Sequence, residues 1–285
     1  MNVRKIGVIG AGTMGNGIAQ VFAIAGYDVI MRDIKQEFVD RGMATIAKNM
    51  ERMVSRNKLS AEARDAAVAR IRPTIDFETF ADRDLVIEAV VEVFDVKAKL
   101  VREFDAVCGE AAIFATNTSS ISITKIAATS KKPERVIGMH FFNPVPVMQL
   151  VEIIRALQTS DEVAQAIEEI SRAVGKTPHT VKDSYGFVVN RVLVPMINEA
   201  INCLYEGLTQ PEDIDSVMKL GANHPMGPLS LADLIGLDIV LDIMETLYGG
   251  FDDPKYRPSP LLKQMVDAGY LGRKTGRGFF RYDQA

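Results

Sequence analysis

A glycine-rich turn near the start of the chain places the strongest constraint on its fold. The apolar run Lys5–Ile9 has the length and flanks of a strand, and the residues that follow it are Gly10, Ala11, Gly12, Thr13, Met14 and Gly15. In this spacing the first glycine permits a tight turn, the second lets the backbone approach a phosphate, and the third lets the next helix pack closely on the strand. That helix, predicted over Gly15–Ala25, presents unpaired N–H groups at its N-terminus. The pattern therefore predicts a β–α–β unit that binds a dinucleotide.

An acidic residue after the next predicted strand indicates which dinucleotide is bound. The strand Asp28–Met31 leads to Asp33, where a carboxylate accepts hydrogen bonds from the adenosine ribose hydroxyls. A carboxylate there also repels a 2′-phosphate, which favours NAD. The neighbouring Arg32 could bind that phosphate, so NADP stays open as the alternative.

The first half of the chain alternates short apolar runs with helical patterns, which indicates an α/β fold with a mostly parallel sheet covered on both faces. The further predicted strands are Asp84–Ala89, Ile113–Thr116, Arg135–His140 and Gln149–Ile154. One helical excursion, about residues 36–72, interrupts this alternation. It contains no good strand, and its helical pattern has a turn near Asn57–Ser60 that predicts an inserted helical hairpin.

The second part of the chain has a different character. After about residue 184 the predicted elements are all helices, and we place them over Phe187–Glu206, Ile214–Leu220, Leu229–Leu247 and Leu261–Ala268. No strand is expected there before the last few residues. A length of 285 residues suits two domains. We therefore predict a Rossmann-type domain over 1–184 and an all-helical C-terminal domain over 185–285.

Charge and composition narrow the set of partners. The formal net charge of −4 gives the surface no general attraction for nucleic acid or anionic lipid. Charges interrupt the apolar runs well before the roughly 18 residues that a membrane span needs. Cys108 and Cys203 lack metal-ligand spacing, and two thiols fit a reducing compartment. Because no targeting segment is recognisable, we expect a cytoplasmic protein with no metal, nucleic-acid or membrane partner.

Of the three histidines, His140 is the best placed for proton transfer. It ends the predicted strand Arg135–His140, and ligands of open α/β sheets bind beyond the carboxyl ends of strands. If this strand and Gln149–Ile154 fold back on each other about Pro146, position 140 lies opposite Glu152. A carboxylate within an apolar strand needs a partner, and the imidazole would supply it. The pair fits an acid–base couple, or a structural pair that supports a hairpin.

Polar residues at other places along the predicted elements are candidates for ligand contacts. Ser119 follows the strand Ile113–Thr116 and could bond a substrate oxygen or cap the next helix. Glu92 and Lys97 could face the nicotinamide half of the cofactor, or form an ordinary pair on a solvated helix. Asn190 interrupts an apolar helix, where its amide needs a partner such as a substrate carbonyl.

Six sequence stretches carry a resemblance to one enzyme family. They are GAGTMGNGIAQ at 10–20, ATNTSS at 115–120, GMHFFNPVPVMQLVE at 138–152, GFVVNR at 186–191, MKLGANHPMGP at 218–228 and LGRKTGRGF at 271–279. On these motifs the chain resembles the 3-hydroxyacyl-CoA dehydrogenases, most closely the short-chain bacterial 3-hydroxybutyryl-CoA dehydrogenases. The resemblance extends over both predicted domains.

The resemblance implies NAD-dependent interconversion of (S)-3-hydroxybutyryl-CoA and acetoacetyl-CoA, in fatty acid metabolism or butyrate synthesis. It implies that His140 is the catalytic acid–base residue and Glu152 its partner, and that Ser119 and Asn190 hold the substrate oxygen. The cofactor contacts that it implies, besides the glycine turn, are Asp33, Glu92, Lys97, Ser119, Asn143 and Lys274.

The resemblance also assigns tasks to the helical parts of the chain. The excursion at 36–72 is similar to the family's CoA-binding segment, where Arg52, Arg56 and Lys58 would meet the phosphates of CoA. The C-terminal domain is similar to the family's dimerisation domain, so we expect a homodimer.

Two other functions compete with this hypothesis. One is a dehydrogenase of free hydroxy acids on the same two-domain plan, against which the basic excursion argues. The other is a non-enzymatic dinucleotide-binding structural protein. The presence of His140, Glu152, Ser119 and Asn190 argues against it.

Overall fold

The computed structural model of the chain describes residues 3–282. It divides into two compact units, Met1–Ser184 and Tyr185–Ala285. Over the described residues, no helix combines the length and the apolar character that crossing a membrane requires.

The first unit is built on one sheet with the strand order β3-β2-β1-β4-β5-β6-β7-β8. Its strands are β1 (Lys5–Ile9), β2 (Asp28–Arg32), β3 (Ile71–Thr74), β4 (Leu85–Glu88), β5 (Ile113–Thr116), β6 (Val136–Phe141), β7 (Leu150–Arg155) and β8 (Thr177–Lys182). All neighbouring strands are parallel except β6 and β7, which are antiparallel. The predicted α/β class with a mostly parallel sheet is confirmed.

Helices connect these strands and cover the sheet. They are α1 (Thr13–Ile24), α2 (Gln36–Ser55), α3 (Ala61–Ala69), α4 (Phe94–Val107), α5 (Ile123–Ala127) and α6 (Asp161–Ala173). Every residue of β5 and β6 is buried, as expected for strands covered on both faces. Helix α6 is an example of how the helices pack on the sheet, since Val163, Ile167 and Ile170 lie on its buried face. Burial of each of these side chains stabilises the fold by roughly 1.5–3 kcal/mol.

The inserted hairpin consists of α2 and α3. The side chain of Ser60 caps α3 by accepting a hydrogen bond from the backbone N–H of Ala63 at 3.1 Å, and Asn57 adopts a left-handed conformation with φ of 54° in the turn. Both features agree with the predicted turn. The expectation of no strand within residues 36–72 was wrong at its end, because β3 begins at Ile71 and pairs with β2.

The sheet also has a strand that the sequence analysis missed. Strand β8 pairs in parallel with β7 at the edge of the sheet. Its sequence, TPHTVK, is polar and largely exposed, because an edge strand needs few apolar side chains. His179 lies in this strand and is exposed.

The second unit is helical over its described residues. Its helices are α7 (Val189–Tyr205), α8 (Pro211–Gly221), α9 (Pro228–Ile235), α10 (Leu237–Phe251) and α11 (Pro260–Asp267). The single helix predicted over Leu229–Leu247 was wrong: Gly236, with φ of 105°, separates α9 from α10 because that angle is incompatible with a helix. Near the end, the described residues form only two isolated bridges, Gly272 with Arg277 and Arg277 with Arg281.

Candidate active site

The glycine turn joins β1 to α1 and leaves the start of this helix open. Gly10 has φ of 101°, and a Cβ atom on it would lie 2.5 Å from the carbonyl oxygen of Ala89. A Cβ atom on Gly15 would lie 1.7 Å from the carbonyl oxygen of Gly10. A Cβ atom on Gly12 would meet nothing within 4 Å. The first and third glycines are thus required by the fold, whereas Gly12 borders open space.

The chemistry at the start of α1 fits the phosphates of a dinucleotide. Gly12 is the N-cap residue, so no side chain caps the helix, and its first turn contains no acidic residue. A cavity of about 560 Å³ is lined by the glycine turn together with Asp33, Ile34 and Phe38. Unpaired N–H groups and the positive end of the helix dipole favour an anion at this place.

Asp33 holds a negative charge beside the turn. Its Oδ2 accepts a hydrogen bond from the backbone N–H of Ala11 at 2.7 Å, and its Oδ1 accepts one from the N–H of Ile34 at 2.7 Å. Arg32 points its Nε to the carbonyl oxygen of Ile75 at 3.2 Å and places its guanidinium 5.2 Å from the centre of the Phe77 ring. The carboxylate is therefore fixed at the turn, which suits ribose hydroxyls better than a 2′-phosphate.

The antiparallel strands β6 and β7 bring His140 and Glu152 together. The register pairs His140 with Glu152, so the predicted hairpin alignment is confirmed. His140 Nδ1 lies 3.0 Å from Glu152 Oε2, and the two residues are only 6% and 2% exposed. Because a carboxylate can only accept, Nδ1 carries the hydrogen of this bond and the tautomer is fixed. The ring of Phe142 packs at 4.5 Å from the imidazole centre.

A buried lysine holds the loop between these two strands. Lys176 Nζ donates hydrogen bonds to the carbonyl oxygens of Val145 at 2.5 Å and Met148 at 2.7 Å. Burial lowers the pKa of Lys176. The same loop carries Asn143, which lines a second cavity of about 310 Å³ together with Gly12 and Thr13. The structure thus brings Asn143 to the glycine turn.

Glu92 organises the loop that follows β5. Its Oε1 accepts hydrogen bonds from the Thr118 hydroxyl at 2.5 Å and from the backbone N–H groups of Ser119 at 2.9 Å and Ser120 at 3.0 Å. Its Oε2 lies 3.2 Å from Lys97 Nζ. Lys97 is 1% exposed, so the alternative of an ordinary pair on a solvated helix is wrong.

Comparison with known proteins covers both units. Residues 5–184 match the family model described as 3-hydroxyacyl-CoA dehydrogenase, NAD binding domain, and residues 186–282 match 3-hydroxyacyl-CoA dehydrogenase, C-terminal domain. The chain belongs to the 3-hydroxyacyl-CoA dehydrogenase family. It is therefore an oxidoreductase, and NAD is the cofactor that its N-terminal domain indicates.

Individual relatives are similar over nearly the whole dehydrogenase chain. A probable 3-hydroxybutyryl-CoA dehydrogenase from Deinococcus radiodurans is 54% identical over 278 residues, which are 98% of this chain and 100% of the relative. The crystal structure of (S)-3-hydroxybutyryl-CoA dehydrogenase from Ralstonia eutropha is 55% identical, with a TM-score of 0.96 and 99% of both chains covered. A 3-hydroxyadipyl-CoA dehydrogenase from Escherichia coli is 42% identical over 98% of this chain and 59% of the relative.

The remaining predicted site residues of the dehydrogenase are divided between the two units. Arg52, Arg56 and Lys58 are exposed near the end of α2, in the first unit. Asn190 is half-buried in the first turn of α7, in the second unit. Lys274, also in the second unit, is exposed and has its Nζ 2.5 Å from both carboxylate oxygens of Asp238. The roles of Asn190 and Lys274 stay predictions.

Two residues of the site escaped the sequence analysis. Glu88 ends β4 and is fully buried, but in the sequence it lies inside the predicted apolar strand Asp84–Ala89 with nothing to mark a partner. Arg41 lies on α2 and lines both cavities. Its only signal was a basic residue in the turns of α2 nearest the glycine turn, which is weak because basic residues are common on exposed helix faces.

Replacing Glu92 by glutamine should weaken the acid dependence of stability. Burial alone would raise the pKa of Glu92, but the charge of Lys97 and hydrogen bonds from Thr118, Ser119 and Ser120 lower it below its ordinary value of 4.5. A carboxyl whose folded pKa lies below its unfolded pKa stabilises the fold above pH 4.5. That contribution disappears as the pH falls through the lowered folded value. Urea unfolding at a series of pH values should show that the unfolding free energy of Glu92→Gln falls less steeply with decreasing pH than that of the wild type. Equal slopes in the two proteins would contradict the lowered pKa of Glu92.

Proposed function

We propose that the protein interconverts (S)-3-hydroxybutyryl-CoA and acetoacetyl-CoA with NAD as the hydride carrier. The observation that carries the proposal is the buried His140–Glu152 pair, with a separation of 3.0 Å, in a sheet whose first strand ends in a dinucleotide-type glycine turn. Relatives of this chain that are named for this substrate, at 54% and 55% identity, support the choice of the four-carbon acyl group.

The pair supplies the proton chemistry. With Nδ1 bonded to Glu152, the Nε2 atom of neutral His140 takes the proton from the C3 hydroxyl in oxidation and returns it to the forming alkoxide in reduction. Glu152 stabilises the imidazolium that forms, in the way that a buried carboxylate supports a catalytic histidine elsewhere. NAD, when bound, accepts or donates the hydride.

Ser119 is the proposed donor to the substrate oxygen. Its backbone is fixed by Glu92, and Asn117, two residues earlier, accepts a hydrogen bond from the backbone N–H of Phe141 at 2.8 Å. The loop after β5 is therefore tied to the residue next to His140. A donor that is already in place stabilises developing charge on oxygen without further reorganisation.

An assay of NADH oxidation with acetoacetyl-CoA tests the proposed function. We expect turnover with acetoacetyl-CoA, little with free acetoacetate, and a lower kcat/KM with NADPH because Asp33 is held at the glycine turn. Activity on free acetoacetate equal to that on the thioester would overturn the assignment. Adding longer and dicarboxylic acyl-CoA substrates tests the second candidate, an activity like that named for the Escherichia coli relative.

Helix α2 is the proposed path of CoA. Arg41, Thr45 and Asn49 are four residues apart and line the second cavity, and the same helix face continues to Arg52 and Arg56. This arrangement leads from the glycine turn to an exposed basic end where the CoA phosphates would bind. Because these basic residues are exposed, their effect should be screened by salt.

Removal of the two arginines near the end of α2 should raise the KM for acetoacetyl-CoA. For Arg52→Ala/Arg56→Ala we expect a rise of roughly tenfold at low ionic strength, since each loses a charge-assisted contact to phosphate. The increase should shrink with added salt and vanish for acetoacetyl-pantetheine, which lacks the nucleotide. Arg70→Ala, an exposed arginine at the end of α3, serves as the control. An equal rise in KM for acetoacetyl-pantetheine would place the CoA phosphates elsewhere.

A further inference from the structure

Glu88 is a fully buried charge next to the candidate active site that the proposed mechanism does not use. It ends β4 and is 0% exposed. Its Oε1 accepts hydrogen bonds from the backbone N–H of Val90 and from Lys97 Nζ, both at 2.7 Å. Its Oε2 accepts one from the Thr116 hydroxyl at 2.8 Å. Both oxygens are therefore engaged, and the carboxylate connects β4, α4 and β5.

Lys97 connects the buried Glu88 to the partly exposed Glu92. Its Nζ lies between two carboxylates, 2.7 Å from Glu88 and 3.2 Å from Glu92. Glu88 is held by the sheet, whereas the Glu92 side chain is 36% exposed and lies in the loop before α4. The buried and rigid carboxylate therefore fixes the ammonium, and the ammonium fixes the exposed carboxylate.

We propose that Glu88 is a positioning residue that sets the place of Ser119 through Lys97 and Glu92. Glu92 completes the connection, because its Oε1 accepts from the backbone N–H groups of Ser119 and Ser120 at 2.9 and 3.0 Å. The chain of contacts is continuous from the end of β4 to the proposed substrate-binding serine. The inference rests on the proposed role of Ser119.

A glutamine at position 88 removes the charge while keeping the shape. The amide oxygen of Glu88→Gln can still accept from Val90 and face Lys97. The amide nitrogen can donate to the Thr116 hydroxyl, which is able to accept instead of donate. The substitution removes the negative charge that pairs with Lys97 at position 88. Glu92 then remains as the carboxylate that pairs with the Lys97 ammonium.

The matched control is Thr116→Ser. Thr116 is fully buried and pairs with Glu88 across β4 and β5, and this substitution removes its methyl group. The hydroxyl remains, so it can still donate to Glu88 Oε2 and accept from the backbone N–H of Thr118, and the charges of Glu88, Lys97 and Glu92 stay in place. Both variants change the buried surroundings of the same carboxylate, so both are expected to lower the melting temperature. Only the glutamine variant weakens the connection to Ser119.

Two measurements separate positioning from a purely structural role. In the cofactor-free protein, residue-resolved hydrogen exchange at the Ser119 and Ser120 amides should be faster in Glu88→Gln than in Thr116→Ser. With acetoacetyl-CoA and NADH, Glu88→Gln should lower kcat about tenfold, while its KM stays within about twofold of the wild-type value. If the glutamine variant matches Thr116→Ser in both exchange and kcat, Glu88 is only structural and the proposal is overturned.

A double-mutant cycle keeps the test valid if Glu88→Gln unfolds. Removing both charges, in Glu88→Gln/Lys97→Met, leaves no unpaired buried ion and is therefore better tolerated than removing one. If Glu88 acts only through Lys97, the double variant has the same kcat and the same Ser119 exchange as Lys97→Met. A further fall in kcat on adding Glu88→Gln to Lys97→Met would overturn the proposed route.

The experiment also separates this inference from the proposed function. If the wild-type protein does not reduce acetoacetyl-CoA, the proposed function fails. The exchange rates of Ser119 and Ser120 in the cofactor-free protein still decide whether Glu88 places this loop.

Discussion

His140→Gln should lower kcat for acetoacetyl-CoA reduction by about 10³-fold while NADH binding stays within about twofold of wild type. Glutamine keeps a donor toward Glu152, which lies 3.0 Å from the imidazole Nδ1, but its amide cannot exchange a proton near neutral pH. The glycine turn that would hold the cofactor belongs to β1 and α1 and is not altered. Steady-state kinetics and NADH fluorescence titration together measure the two effects.

The control for this variant is His179→Gln. His179 lies in the same sheet, on the edge strand β8, and is exposed. We expect it to retain wild-type kcat. If His140→Gln retained more than about one-tenth of the wild-type kcat, the proton would have to move through another group and the proposed mechanism would fail.

Two alanine substitutions in the glycine turn should have different consequences. Gly12→Ala should fold normally, with unfolding free energy within about 1 kcal/mol of wild type, since its Cβ atom meets nothing within 4 Å. The methyl group would instead occupy the open side at the start of α1. We expect NADH affinity to fall by about 100-fold, the equivalent of two lost hydrogen bonds to phosphate.

Gly15→Ala should damage the fold as well as the binding site. Its Cβ atom would lie 1.7 Å from the carbonyl oxygen of Gly10, so α1 must move away from β1. We expect a loss of about 3 kcal/mol in unfolding free energy together with weak NADH binding. Urea unfolding and NADH titration of both variants form the test. Wild-type NADH affinity in Gly12→Ala would show that the phosphates do not approach this glycine.

Local patterns in the sequence were sufficient to predict much of the structure of the first unit. The spacing of the glycines predicted the β1–α1 turn, and Ser60 predicted the cap of α3. The expected fold-back of two strands about Pro146 predicted the pairing of His140 with Glu152. These features depend on residues close together in the chain, so their geometry follows from short-range sterics and hydrogen bonding.

Other elements were not predicted because their apolar patterns are weak or ambiguous within a stretch of only a few residues. Strand β8 is polar, since it lies at an edge, and β3 has only four residues. The apolar pattern continues from α9 into α10, and only the backbone angle at Gly236 separates them. Apolar periodicity reports a buried face, but it does not report where a helix axis changes direction.

The sequence by itself determined the dinucleotide turn, the α/β class and the histidine–carboxylate hairpin, because each follows from the spacing and order of residues along the chain. Only the tertiary structure revealed the contacts that support them. Glu88 meets Thr116, 28 residues away, and Lys176 meets the carbonyl of Val145, 31 residues away. Such contacts arise when separate strands and loops come together at one end of a sheet, and a buried polar residue shows its partner only after that assembly.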